Sequence, residues 1–433
     1  MGAGQLFTVA APDLLRLSPP STVLILVAGA LAWRGGDARA GSNDEPNSVG
    51  DRFIYMNRPP GAIVDGWQVR PSVTLRGGYD DNITLSRGSG PSSSEVGLAG
   101  AIDAERDAGP YELNLGAWLG QTWYPDSSEN DATEANVSAA IALDLKPELL
   151  LRGSVSFLQA VERGIDNGIF VDGVFQPYST RAEYRRVPLE LSADYRVGGL
   201  ELLGSAQIAS VDYDAQATQS GLTVPQNFRN GWESEVRFRT GYDLNANLSL
   251  FGEAATTAHR YDDPQGDRDS WRVTAGTELK FSRLLVGEAS VGYAQMSLGN
   301  GGQTSGLTYG ARLHWFISEL MSLTLDAARR FDGEVVTTAF GVTSAAPTTQ
   351  DVISVRAEWE PLRALLVHAQ AGYEQRTHES SGRMDDLGSV TVGATYVLTS
   401  SLRVEGSGTY ESGTSDSNSI ERHSVSLGLT VVY

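Results

Sequence analysis

Arginine and glutamate alternate with uncharged residues along much of this 433-residue chain, and that spacing bounds the chemistry open to it. Arg70, Arg76, Arg152, Arg186, Arg196, Arg237, Arg239, Arg272, Arg312, Arg330, Arg356, Arg376, Arg403 and Arg422 share one register of a period-two pattern. Interleaved with them stand Glu112, Glu190, Glu233, Glu235, Glu253, Glu278, Glu358, Glu374, Glu405 and Glu411. The favoured reading is a set of cross-strand ion pairs that stiffens a wall. The other is functional: a ladder of guanidinium groups could bind carboxylate or phosphate and select anions or acidic sugars.

Catalytic chemistry finds little to work with. The five histidines, at 259, 314, 368, 378 and 423, include no pair with zinc-ligand spacing, and there is no cysteine. Gly299 to Gly302 lacks the strand-to-helix setting of a phosphate loop and reads as a loop tip. No Ser and His arrangement stands out as a nucleophile with its base. Asp80-Asp81 and Asp262-Asp263 could chelate a divalent cation at a lipopolysaccharide surface, although solvated loop acids are the favoured reading. The expectation is no enzyme, no cofactor and no metal. A formal net charge of −20 argues against a nucleic-acid partner, which needs a basic surface.

The elements that must position these charges are strands. In segment 68 to 79, Val69, Val73, Leu75 and Tyr79 fall opposite Arg70, Ser72, Thr74 and Arg76. In 186 to 197, Val187, Leu189, Leu191 and Tyr195 fall opposite Arg186, Glu190, Asp194 and Arg196. A strand is written this way when its two faces meet different surroundings. Such runs recur from Trp67 to the final residue about eighteen times, each near the ~9 to 11 residues that cross a bilayer at a tilt, and no apolar stretch after the first forty residues suits a spanning helix.

Connections alternate too. Tight turns such as Asp107-Ala108-Gly109-Pro110 and Gly198-Gly199 alternate with long polar loops such as Tyr124 to Thr133 and Asp332 to Gln350. Aromatics mark both ends of the apolar register, as they do at membrane interfaces. Tyr195, Tyr242, Phe281, Trp315, Trp359, Tyr396 and Tyr433 define one girdle. Tyr79, Trp123, Trp232, Trp271, Tyr293, Tyr309, Tyr373 and Tyr410 define the other. The pattern predicts an all-β fold: a transmembrane antiparallel up-and-down β-barrel of about eighteen strands, with the tight turns in the periplasm. Its last strand, His423 to Tyr433, resembles the C-terminal signal read by the barrel-assembly machinery.

Residues 1–40 read as a signal peptide: Arg16, an apolar run from Val23 to Trp33, and Ala38-Arg39-Ala40 before Gly41. Residues 41–66 form a short periplasmic extension, too few for a folded plug domain, and 67–433 form the barrel. Within it, the third long loop, Arg163 to Arg181, carries Ile169, Phe170, Val171, Val174 and Phe175 at its tip. An apolar loop of that length either folds into the channel and constricts it or packs over the rim or on another subunit.

The stretch Pro59 to Asn82, in which Val69-Arg70-Pro71-Ser72-Val73 leads into Gly77-Gly78-Tyr79-Asp80-Asp81-Asn82, resembles the opening strand of the putative beta-barrel porin 2 family. The resemblance covers roughly Arg58 to Tyr433. It implies the outer membrane of a Gram-negative bacterium and a porin-like architecture, without catalytic residues or a known substrate. The reading is a passive channel for small hydrophilic or anionic solutes, including export of an acidic polysaccharide; the alternative is a non-conducting scaffold, adhesin or receptor. The pore-lining candidates are Arg70, Arg76, Arg186, Glu190, Arg196, Glu233, Glu235, Arg237, Arg239, Arg272, Arg312 and Arg356. Expected partners are outer-membrane lipid and lipopolysaccharide, the barrel-assembly machinery, and small hydrophilic solutes or anionic glycans; an oligomer stays open.

Overall fold

A sheet with an aliphatic face and a charged face leaves reactive edges unless it closes on itself. This one closes. The computed structural model describes residues 48–85, 90–162, 168–171, 174–338, 341–379, 382–415 and 418–433. Its wall has eighteen strands. The first nine are β1 (Trp67–Asp80), β2 (Ser93–Asp107), β3 (Tyr111–Trp123), β4 (Ala132–Lys146), β5 (Leu149–Val161), β6 (Glu183–Val197), β7 (Leu200–Tyr213), β8 (Gly231–Asn245) and β9 (Leu248–Tyr261). The rest are β10 (Arg268–Ser282), β11 (Leu285–Leu298), β12 (Gln303–Ser318), β13 (Met321–Thr338), β14 (Gly341–Leu362), β15 (Leu365–His378), β16 (Met384–Thr399), β17 (Leu402–Ser415) and β18 (Asn418–Val432).

Each strand pairs antiparallel with the next, and β18 returns to β1, placing Ser72 opposite Val432 and Asp80 opposite Ser424. The ring therefore has no free edge. Along the rim expected in the periplasm the strands are joined by two residues in seven cases and by three, 108–110, in the other. Gly109 and Gly198 sit in these turns at φ +81° and +59°, a region that residues with a Cβ enter only at a cost. The alternation is visible in exposure: every aromatic of the two expected girdles is exposed on the outer face, together with the aliphatic side chains between them.

One expected loop is a pair of strands. Residues 332–350 read as a long polar loop, yet β13 continues to Thr338 and β14 begins at Gly341, paired from Asp332 opposite Thr348 to Thr338 opposite Gly341. The β-branched run Val335-Val336-Thr337-Thr338 explains this, since such residues suit extended backbone. The ribbon does not stay in the wall. β12 accompanies β13 only as far as Tyr309 opposite Arg329. Beyond that point Phe331 packs on Met296 and Leu298, which lie on the inward register of β11. At its end Thr338 bridges Phe170, in a small hairpin, 168–171 with 174–177, rooted between β5 and β6. The two roots lie on far sides of the ring, so they meet over its outer mouth.

The segment before β1 also enters the ring. Helix α1 (Val49–Met56) starts at Ser48, whose side chain accepts from the Asp51 backbone N–H. Val49 and Phe53 are buried against Leu366, Phe316 and Val397. These three stand on the inward register near the tight-turn ends of β15, β12 and β16. The expected short extension thus sits partly inside the barrel. Among the described residues, apolar clusters on the inner face form where another element covers the wall: beneath α1, beneath the ribbon, and at Tyr184, Val211 and Tyr213 below the outer loops.

Candidate functional site

The candidate site is the lumen, and alternation builds it: residues opposite the exposed aliphatic positions all point inward. There the arginines meet carboxylates. Arg70 bonds Glu105 at 2.8 Å, Arg76 stands 3.2 Å from Glu95, and Arg186 is 3.1 Å from Glu233. Arg196 bridges Asp194 at 2.9 Å and Glu201 at 2.5 Å. Arg237 lies 3.5 Å from Glu235, Arg272 is 3.0 Å from Glu253, Arg312 is 2.5 Å from Asp326, and Arg356 is 4.0 Å from Glu358. Glu190 faces Gln207, whose other neighbour across the sheet is Glu235.

Arg239 reaches across several strands. Its guanidinium reaches from β8 over β9 to Glu278 on β10 and to Glu288 on β11, 3.2 Å away, and it lies 3.6 Å over the Phe251 ring. With 7% of its side chain accessible, it is a buried cation whose cost is offset by two carboxylates and an aromatic face. The sequence reading picked out Arg239 and Glu278 but omitted Glu288, as it omitted Glu95, Glu105, Glu201 and Asp326. Their signal was the same alternation: Glu288 is in step with Ser290, opposite in phase to Val291 and Tyr293. With these acids included, carboxylates on the inward register outnumber arginines.

At the outer rim, Asp80 is not a solvated loop acid. It is 2% exposed and receives Arg422 Nε at 3.0 Å and Nη2 at 2.5 Å, while Arg422 Nη1 holds Glu411 at 2.5 Å. This triad locks the seam, because Asp80 and Arg422 belong to its two strands. Asp81 takes His423 Nδ1 at 2.9 Å on the exposed side, and Asp263 caps a short helical turn by accepting from Gln265 N at 3.0 Å. Among the described residues no group of three His, Cys, Asp or Glu side chains could hold a metal ion.

Both mouths are covered in part. Above, Arg268 of β10 donates to Asp332 at 2.5 Å and to the Gly333 carbonyl at 2.7 Å, clamping the folded-in ribbon. The constriction candidates Ile169, Phe170, Val171 and Phe175 lie in the hairpin that meets this ribbon by backbone pairing. Between outer loops, Arg229 binds Glu162 at 2.7 Å; burial alone would lower the guanidinium pKa, but the carboxylate raises it above its ordinary value. Below, the α1 N-terminus is bound by the wall: Val49 N donates to Ser322 Oγ at 3.0 Å and Gly50 N to Glu358 at 2.9 Å. Arg52 reaches Glu360 at 2.6 Å and Arg58 reaches Glu105 at 2.7 Å. Full burial of Val49 and Phe53 contributes at most about 2 to 3 kcal/mol each, before the cost of ordering the segment.

A family model described as Putative beta-barrel porin 2 matches residues 58–433. No curated protein matches the sequence. Among solved structures the chain is similar to OccAB2 of Acinetobacter baumannii, at 10% identity and a TM-score of 0.45, covering 86% of this chain and 99% of that one. It is also similar to two Pseudomonas aeruginosa proteins. OpdQ shows 12% identity, a TM-score of 0.44, and coverage of 86% and 99%. OpdO shows 12% identity, a TM-score of 0.46, and coverage of 86% and 98%.

Proposed function

We propose that this chain, which belongs to the putative beta-barrel porin 2 family, is an outer-membrane channel for passive passage of small hydrophilic solutes. The observation that carries the reading is the closed wall of eighteen strands, aliphatic and aromatic outside and lined by ion pairs inside. An eighteen-strand ring is wider than side chains can fill, so its lumen holds water. Each arginine named as a pore-lining candidate stands within 4.0 Å of a carboxylate, and fixed pairs of opposite charge suit polar solutes. Passage of anions, or export of an acidic glycan, has weaker support for the same reason: the guanidinium groups are already engaged. Residues 1–40 fall outside the described residues; we read them as the cleaved export signal.

Single-channel recording in planar bilayers tests the main reading. Discrete conductance steps are expected, and silence from a folded barrel would sink it. Reversal potentials in a salt gradient, with and without Arg237→Gln and Arg239→Gln, test the anion version, which predicts a fall in anion permeability. The second reading, a non-conducting surface scaffold, draws its support from the covered mouths. It predicts that no solute of any size enters liposomes carrying the protein.

A further inference from the structure

We infer that residues 48–60 are a displaceable constriction of the periplasmic mouth, held by a few wall side chains and released as a unit. The inference rests on the channel reading above.

The path of the segment comes first. It docks on β13 and β14 through Ser322, Glu358 and Glu360, passes β17, where Arg403 donates to Asn57 O at 3.3 Å, and arrives at β1 and β2. There Arg58 meets Glu105, and Arg70 donates to Pro59 O at 3.1 Å. From β14 round to β1 the wall takes five steps of about 4.8 Å, more once tilt is counted. An eight-residue helix is only about 12 Å long. With four further residues at about 3.3 Å each it just reaches β1, and its contacts with β12, β15 and β16 keep it against the inner wall, where a helix about 10 Å across narrows the opening from that side.

The attachment is of a kind that can let go. None of the α1 contacts is a sheet pairing; they are separate side-chain bonds plus one small apolar socket. The opposite face is uncovered, with Ile54 52%, Tyr55 69% and Met56 68% exposed. A helix this short does not hold its shape alone, so release and unwinding go together. Glu358 sits at the positive end of the helix and binds the Gly50 N–H, an approach close enough that a Cβ at Gly50 would stand 2.6 Å from a Glu358 carboxylate oxygen. Docking therefore has two states, bound with the helix formed or free with it unwound.

The chain has no cysteine of its own, so a single disulfide can pin the segment. Val49→Cys with Ser322→Cys joins positions already bridged by a 3.0 Å hydrogen bond. In planar bilayers the oxidised double variant should stay at a low conductance. Reduction should raise it at least twofold, and a variant lacking residues 48–60 should hold the higher level with or without reductant. Equal conductance in the oxidised, reduced and truncated forms would overturn the constriction while leaving the channel intact. If the truncated barrel folds but never conducts, the channel reading fails and takes the constriction with it. Should truncation prevent folding, the disulfide pair alone still decides, since reduction either changes conductance or does not.

Discussion

Two ion pairs that look alike in sequence differ in what they hold. Asp80 and Arg422 join the first and last wall strands from the buried inner face, whereas Arg260 and Asp269 lie on the outer face, 50% and 62% accessible, 2.6 Å apart. Breaking a buried charge pair costs about 3 to 5 kcal/mol, at the lower end beside a wet lumen, while an exposed pair contributes about 0 to 1 kcal/mol. Asp80→Asn should therefore lower the temperature at which the barrel loses its compact gel mobility, and Arg260→Gln should leave it nearly unchanged. Equal effects would show that the seam triad adds nothing to closure. The side each charge occupies was readable from alternation; its partner was not. Arg239 finds Glu288 three strands away because tilt and stagger slide the strands past one another, and neither has a signature at either residue. Asp80 was misread for a related reason: a strand end next to a loop looks solvated until the closing strand brings Arg422 over it.

Strands were legible wherever they lie between lipid and water, since that boundary writes the alternation. Where an element leaves the boundary, the pattern goes with it. The outer part of the β13–β14 ribbon has left β12 behind, and residues 332–350, rich in Thr and Ala, imitate a loop. Helix α1 was equally hidden, because Val49 and Phe53, four apart, are too few to mark an amphipathic stretch until a socket on the wall is known. The ribbon makes its own prediction. Arg268 is its clamp, 3% accessible and bound to Asp332 and Gly333. Arg268→Gln removes the charge and shortens the reach, freeing the ribbon from β10. A cysteine at Ser354, on the inward register of β14, should then react faster with a bulky thiol reagent added from outside. An unchanged labelling rate would mean that the ribbon does not obstruct the outer mouth.

For the whole molecule, every assignment depends on which side of the wall is wet. A one-residue step along a strand crosses from one solvent to the other, so a pair of adjacent substitutions tests the closed ring more sharply than any single change. Leu427, 62% exposed, lies midway along β18 opposite Gly77 and Gly406; Ser426 beside it turns inward and bonds Ser407 Oγ at 3.0 Å. Arginine on the lipid face near the bilayer middle costs about 2 to 4 kcal/mol, whereas a lumen position offers it water and nearby carboxylates. Leu427→Arg should assemble poorly in lipid vesicles or unfold at markedly lower denaturant, and Ser426→Arg should fold with near-normal stability while shifting the reversal potential toward anions. The reverse order would place water outside and the aliphatic face within, as two stacked sheets would, and the arginines named as lumen residues would then face the surface. Equal tolerance of both would show that no bilayer surrounds the strand, and the ion pairs would be ordinary surface pairs rather than the lining of a pore.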